Sequence, residues 1–526
     1  MRTKIKEIVT EKIRELYNEE VDFDIQHPPE EKMGDYSINA PFLLAEKIKR
    51  NPNEIAKELS EKIDSEIIES ASPIKGFLNF KIQKQAWLEE LVKAINPSYG
   101  NSNKGEGTKI LIEFVSANPT GPLTVAHARG ASLGDSLARI LESQGFDVDR
   151  EYYINDSGNQ IDCLDESVRL KIEELKGKDV TYPPNTYQGQ YIEEIAKEVM
   201  DKNIENYGEF AGEYILKSIN ETLKRLRIDF DKWVSESKII EDGGVDSVIS
   251  DLKKVKPNPF TEKDGALWFT PGNRERVFKR SDGSWTYIVP DIAYHRFKFD
   301  RGYDQLIDLL GPDHQDHVPE LKKSLSLLGY PEKNLEIKII QWVTLKRGNE
   351  TMKMSKRQGT FITIDELIND VGVDAARFFY LLRKSSVPMD FDLELAKEES
   401  ERNPVYYVQY GHARISSLLE MAEEQGYSIN SKEKISKLNQ KEEWNLIKKI
   451  PEFTEALEDA ARIKESHLIT HYLLDISKLF HNFYQNIRVL DGNKDLIEPR
   501  LFLSYAVRNV IRKGLKLLGV QAPERM

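Results

Sequence analysis

The stretch Lys109-Ile110-Leu111-Ile112-Glu113-Phe114-Val115 is almost uninterruptedly apolar and of strand length. Such a run needs cover on both faces, because a half-exposed strand alternates apolar with polar residues. The turn-rich segment Asn118-Pro119-Thr120-Gly121-Pro122 follows. A helical pattern carrying Leu133, Leu137, Ile140 and Leu141 comes next, then a second strand-like stretch around Glu151-Tyr152-Tyr153-Ile154. Strand, loop, helix, strand is the unit of a parallel α/β sheet. Residues 306–310 and 337–343 are apolar again and are expected to continue that sheet, with a largely helical insertion around 165–262 before them.

Ahead of this unit the chain reads as a small mixed domain. Ile5, Ile8, Val9, Ile13 and Leu16 recur at helical spacing, and Leu43, Leu44 and Ile48 mark a second helix. Asn51-Pro52-Asn53-Glu54 has the form of a helix start, with Asn51 as cap, Pro52 first and Glu54 completing a capping box. Leu78, Phe80 and Ile82 alternate as in a strand, and residues 96–107, rich in Asn, Gly and Ser, read as a linker. From about Asp374 onward the pattern is almost wholly helical. A chain of 526 residues exceeds one core, so several domains are expected.

No apolar run approaches the ~20 residues that span a bilayer, and the N-terminal residues lack the apolar core of a secretion signal; a cytoplasmic protein is expected, with no membrane partner. The single cysteine, Cys163, excludes an internal disulfide and any Cys-based zinc site and reads as a small apolar filler. A net charge of −13 disfavours phosphate binding as a whole, yet 75 Lys and Arg residues can still build a local positive face. No Gly-x-x-x-x-Gly-Lys-Ser/Thr sequence occurs, which removes a Walker-type ATPase.

Two segments carry chemistry. His127 stands where the helix after the first strand begins, and the N–H groups and dipole of a helix start favour a phosphate. Met352-Lys353-Met354-Ser355-Lys356-Arg357, between Gly348 and Gly359, offers two ammonium groups three residues apart. Singly, such a histidine is more often a satisfied or surface residue, and such a loop is commonly solvated surface. Their order on either side of an α/β insertion makes the pair specific.

Together they resemble the class I aminoacyl-tRNA synthetases, whose hallmarks are His-x-Gly-His after the first strand and Lys-Met-Ser-Lys-Ser late in the nucleotide-binding fold. Lys353-Met354-Ser355-Lys356 matches the second, with Arg357 in place of serine, while Thr124-Val125-Ala126-His127 keeps only the final histidine of the first. Thr124 retains a hydrogen-bonding hydroxyl without positive charge, and Ala126 puts a methyl where glycine lets adenine approach the backbone. Residues 113–119, 152–160, 287–295 and 311–317, with Met33-Gly34-Asp35-Tyr36 and the ending Ala522-Pro523-Glu524-Arg525-Met526, are similar to arginyl-tRNA synthetases over essentially the whole chain. Asp374-Ala375-Ala376-Arg377 resembles that family's Asp-Ala-Leu-Arg element.

The resemblance implies a Rossmann-type parallel-sheet α/β catalytic domain over 105–395, with the helical insertion. It also implies a small α+β N-terminal domain over 1–95 that binds the tRNA elbow, and an all-α anticodon-binding domain over 396–526. The implied reaction activates L-arginine with ATP and Mg2+ and transfers it to the 3′-terminal adenosine of tRNA-Arg, with activation dependent on bound tRNA. A monomer without a structural metal is expected. Catalytic roles fall on His127, Lys353 and Lys356; ATP contacts on Thr124, Ala126, His127, His314, Lys353, Ser355 and Lys356; arginine contacts on Glu113, Asn118, Tyr287 and Asp291. A planar guanidinium with five donors does call for carboxylates. Without the resemblance, Glu113 reads as a solvated strand end and Asp291 as a helix cap. His314 and His317, among Asp313 and Asp316, also fit a metal-ligand pattern, whereas His467 and His471 lack a third ligand. Tyr406, Tyr407, Tyr410, Phe480, Phe483 and Tyr484 read mostly as core. Some suit base stacking, with Arg508, Arg512, Lys513 and Lys516 for phosphates. A catalytically impaired relative that only binds tRNA is the alternative, resting on the altered first motif.

Overall fold

The computed structural model describes residues 1–526 except 203, 272–274, 349, 353–361, 430–431 and 492. Its centre is a five-stranded sheet of β1 (Lys109–Glu113), β2 (Asp147–Ile154), β3 (Lys232–Ser235), β4 (Gln305–Leu310) and β5 (Leu335–Ile339), in the order β5-β4-β1-β2-β3. Every neighbouring pair is parallel. Ile110, Leu111 and Ile112 are at most 1% exposed, so β1 is covered on both faces as its apolar run requires. The order runs outward from β1 in both directions. That reversal opens a crevice at the carboxyl ends of β1 and β4, the usual ligand position in such sheets.

Helix α1 (Val125–Ser143) follows β1 and buries Leu133, Leu137, Ile140 and Leu141. Two readings of the sequence need correction. Residues 337–343 are not one strand: β5 ends at Ile339, and Val343–Arg347 pairs with Met389–Asp392 and Glu350–Thr351 in a separate sheet. Between them the Arg129 guanidinium takes the Gln341 carbonyl at 2.7 Å, and Ser385 O accepts from Gln341 N–H, so the chain bonds away from the central sheet. Within the segment read as an insertion, the helices Asn159–Leu175, Gln190–Val199 and Tyr207–Arg225 precede β3, which rejoins the sheet edge. A small antiparallel sheet, Phe260–Lys263, Ala266–Phe269 and Arg276–Lys279, comes before helix α2 (Ile288–Asp300).

At the N-terminus the helices Arg2–Tyr17, Ala40–Ile48 and Pro52–Lys62 accompany a four-stranded sheet. Ile5, Val9 and Ile13 are buried, and the Asn51 side chain caps the third helix by accepting from Asn53 N–H at 2.9 Å. Gly34 has φ 106°, and a Cβ there would stand 2.6 Å from Phe80 O, so glycine is required. Asp35 accepts from Ile82 N–H at 2.9 Å and from Lys448 at 2.8 Å, while Tyr36 OH donates to Glu455 at 2.7 Å. The sequence 33–36 is thus a seam between the first domain and the C-terminal helices.

Those helices include Pro404–Glu424, Lys441–Lys449, Glu452–Ile463, His467–Asn486 and Lys494–Leu517. Phe480 and Phe483 are core residues, and Cys163 is a buried filler whose Sγ accepts from Asn185. Wholly buried Arg377 ties α1 to the chain end: it donates to Asp135 at 2.5 Å and to Leu226 O and Leu518 O at 2.8 Å each. Among the described residues no helix is long and apolar enough to cross a membrane.

Candidate active site

At the crevice between β1 and β4 lies a cleft of about 530 Å3, lined by Thr124, Ala126 and His127 on one side and by Gly311, Pro312 and Asp313 on the other. Thr124 caps α1. His127, three residues on, accepts through Nδ1 from Thr124 N–H at 3.0 Å, so its neutral ring carries the proton on Nε2. The same cap is bonded to a distant part of the chain: Val125 N–H donates to Ile362 O at 3.1 Å, Ile364 N–H to Leu123 O at 2.9 Å, and Thr124 bridges Thr363. Lys353, Ser355 and Lys356 lie outside the described residues. His314 is exposed on the turn Pro312–His317, next to Asp313 of the cleft wall.

After β1 the chain reverses sharply. Val115 has φ 69° and Ser116 φ 40°, a left-handed region that strains a β-branched residue. The reversal is clamped by Tyr152 OH, which accepts from Ala117 N–H at 3.0 Å and donates to Ala117 O at 2.8 Å. It also returns Ser116 Oγ to Glu113, 2.8 Å away.

Glu113 is 4% exposed rather than solvated. Register places Asp308 of β4 and Glu151 of β2 beside it, a row of three carboxylates across adjacent strands. Helix α2 and the residue after it meet this row with cations: Lys298 bonds Glu113 and, at 2.8 Å, Asp308; His295 bonds Asp308 at 2.6 Å; Arg301 grips Glu151 at 2.6 and 2.9 Å. Burial alone would lower the Lys298 pKa, but Asp308 and Glu113 outweigh it and hold the ammonium above its ordinary range. Burial works against the Asp308 carboxylate too, and Lys298 and His295 overcome it. Asp291, in the first turn of α2, keeps its side chain 36% exposed and faces His295 Nδ1 at 3.1 Å. Glu113 and Asp291 are therefore ends of one chain of ion pairs.

The other expected arginine contacts stand apart from that chain. Asn118 donates to Gln160 at 2.6 Å, and Tyr287, 63% exposed, bonds His317. Among the described residues the only cluster with metal-ligand spacing is Glu113, His295 and Asp308, not His314 with His317, and Lys298 already bonds two of its members.

Three family models match the chain in succession. Residues 3–82 match the arginyl tRNA synthetase N terminal domain, residues 91–380 the catalytic domain of the class I (R) tRNA synthetases, and residues 408–526 the DALR anticodon binding domain. The arginine–tRNA ligase of Aquifex aeolicus is 38% identical over 100% of both chains. That of Shouchella clausii is 41% identical over 95% of this chain and 94% of the relative. The chain belongs to the arginyl-tRNA synthetase family. Its fold superposes on the Thermus thermophilus arginyl-tRNA synthetase with a TM-score of 0.81, at 24% identity and covering 100% of both.

Sequence reasoning toward this family missed His295, Lys298 and Asp308. A signal existed: Asp291, His295 and Lys298 are four and three residues apart, one helical face, and Asp308 interrupts an otherwise apolar strand.

Proposed function

We propose that the chain is an arginine–tRNA ligase that forms arginyl-adenylate and pyrophosphate from L-arginine and Mg-ATP, then esterifies the 3′-terminal adenosine of tRNA-Arg with release of AMP. The arginine carboxylate attacks the α-phosphate in line, and no enzyme nucleophile is needed. His127, with Nε2 as donor, faces the α-phosphate; Lys353 and Lys356 neutralise the departing pyrophosphate; Thr124, Ala126, Ser355 and His314 border ATP. Asp291 takes the guanidinium, Glu113 supplies the charge behind it, Asn118 holds the amino-acid end and Tyr287 walls the side chain. Residues 1–95 bind the tRNA elbow, 105–395 carry the chemistry and 396–526 bind the anticodon, in a cytoplasmic monomer.

One observation supports this most directly: Ile362 and Ile364, which follow the segment with Lys353 and Lys356, hydrogen-bond to Val125 and Leu123 on either side of the Thr124 cap that orients His127. The cleft beside that cap lies at the switch point of the sheet, and its donors suit a phosphate chain. The test is charging of tRNA across the twenty amino acids, with ATP–pyrophosphate exchange measured with and without tRNA-Arg. Arginine alone should be charged, and exchange should require tRNA. Charging of another amino acid, or tRNA binding with no exchange under any condition, overturns the reading.

A further inference from the structure

Three carboxylates and two cations make up the ion chain that joins Asp291 to Glu113. In order it runs Asp291, His295, Asp308, Lys298, Glu113, and the last four are at most 4% exposed. The neighbouring Glu151 needs nothing from it, being satisfied by Arg301 and by Tyr294 OH at 2.8 Å. His295 Nε2 faces Asp308 Oδ2 at 2.6 Å, while Nδ1 bonds the Asp291 backbone O at 2.7 Å and has Asp291 Oδ1 beside it at 3.1 Å. A neutral imidazole would aim a lone pair at one of these oxygens, so the geometry calls for the doubly protonated ring. Burial and Lys298 oppose that charge, but Asp291 and Asp308 prevail and raise the His295 pKa to about 10. Burial and Asp308 push the Glu113 pKa up, against Lys298 and His295; with all five groups ionised, three carboxylates against two cations leave one negative charge, and its outlet is Asp291, the only member with solvent access.

We propose that His295 and Lys298, joined by Asp308, are positioning residues for arginine: His295 fixes Asp291, Lys298 fixes Glu113, and the ionised cluster stands one negative charge from neutrality, the charge of a single guanidinium. This rests on the assignment of Asp291 and Glu113 to arginine made above. A buried group with one unmatched charge binds best what cancels it, and a neutral isostere pays desolvation without that return. Citrulline, in which a carbonyl oxygen replaces the guanidinium's cationic nitrogen, is such an isostere. The cluster is then a discriminator for charge as well as shape.

The test uses the full chain with tRNA-Arg in ATP–pyrophosphate exchange, reading KM for arginine and for ATP and the inhibition constant of citrulline. Asp308→Asn makes the cluster neutral. The arginine KM should rise by roughly tenfold or more, the scale of one charge-assisted hydrogen bond, with the ATP KM unchanged and the preference for arginine over citrulline reduced. Lys298→Met should weaken arginine binding as well. The double variant K298M/D308N restores one net negative charge and should bind arginine better than either single variant. A purely packing role predicts the reverse, with the double at least as impaired as the worse single, and that result overturns the proposal. If K298M does not fold, D308N decides alone: equal losses for arginine and citrulline overturn it. Asp291→Asn run in parallel separates the two levels. An unchanged arginine KM in D291N removes the arginine assignment itself; a raised KM there, with unaltered discrimination in D308N, removes only this inference.

Discussion

Replacing Arg377 by methionine keeps the volume of a wholly buried side chain and removes its planar fork of donors. Four acceptors lose a donor: Asp135 Oδ2, Leu226 O, Leu518 O and, at 3.4 Å, Ser136 Oγ. Breaking a buried ion pair costs ~3–5 kcal/mol. Asp135 keeps Arg139 at 2.8 Å and Arg150 at 3.6 Å, which places this loss near the lower end, at roughly 3 kcal/mol. Each stripped carbonyl adds about 1 kcal/mol. The expected destabilisation is therefore about 5 kcal/mol, read as a reduced urea midpoint of the full chain, with hydrogen exchange over residues 514–520 showing that the loss begins at the chain end. Gly519, at φ 68°, lies so close that an added Cβ would collide with the Arg377 guanidinium. G519A should thus destabilise too, and its cost should shrink in the R377M background because the colliding group is gone. A loss under about 1 kcal/mol in R377M, or full additivity of the two, would refute the account of Arg377 as the clamp between α1 and the C-terminal helices.

Other perturbations separate chemistry from binding. His127→Ala should lower exchange kcat by ~10²–10³, the scale of one lost transition-state donor, with arginine affinity unchanged; a loss under about tenfold removes the phosphate role. Lys356→Ala should slow adenylate formation in single-turnover measurements far more than it weakens arginine binding, and unchanged activation removes that assignment. Glu465 gives a pH dependence. Burial raises its pKa, but His467, Ser385 and Lys338 outweigh it and hold the carboxyl at about 2. Because the folded value lies below the ordinary one, this stabilisation is complete above the unfolded pKa of about 4.5 and is lost as pH falls toward 2. Glu465→Gln should flatten the acid limb of the stability curve over that window, measured by urea unfolding at successive pH values; an unchanged slope contradicts it.

The parallel sheet was largely legible because buried strands such as 109–113 are written as continuous apolar runs. What escaped is physically distinct. β3 has four residues and none of them fully buried, so no run or alternation marks it. Residues 337–343 look continuous because the departure after Ile339 depends on Arg129 and Ser385, which act from elsewhere in the chain. Met389–Asp392 mixes Asp with Met and Phe and becomes a strand only by pairing with Val343–Arg347. At the site, the cap and His127 could be read locally, since a helix start is a local event. The burial of Glu113 could not, because Lys298 is 185 residues away.

The altered first motif also finds its account in the cap. Thr124 is 5% exposed and extended, at φ −97° and ψ 166°, a conformation that serves both an N-cap and the bridge to Thr363. His127 Nδ1 meets both the Thr124 backbone N–H at 3.0 Å and the Thr124 hydroxyl at 3.1 Å, so backbone and side chain at that position aim the ring together. Ala126 is exposed on the cleft, and its methyl narrows the floor by one carbon while favouring the helix over glycine by up to ~1 kcal/mol. The residues flanking the second motif are bonded on both sides. Before residues 353–361, Met352 N–H donates to Leu345 O at 3.0 Å; after them, Ile362 O accepts from Val125 N–H at 3.1 Å. Met352 is thus held to the strand Val343–Arg347 and Ile362 to the helix cap. If His127 and the two lysines hold the phosphates as proposed, a change at Thr124 should disturb the cap that His127 and Ile362 share.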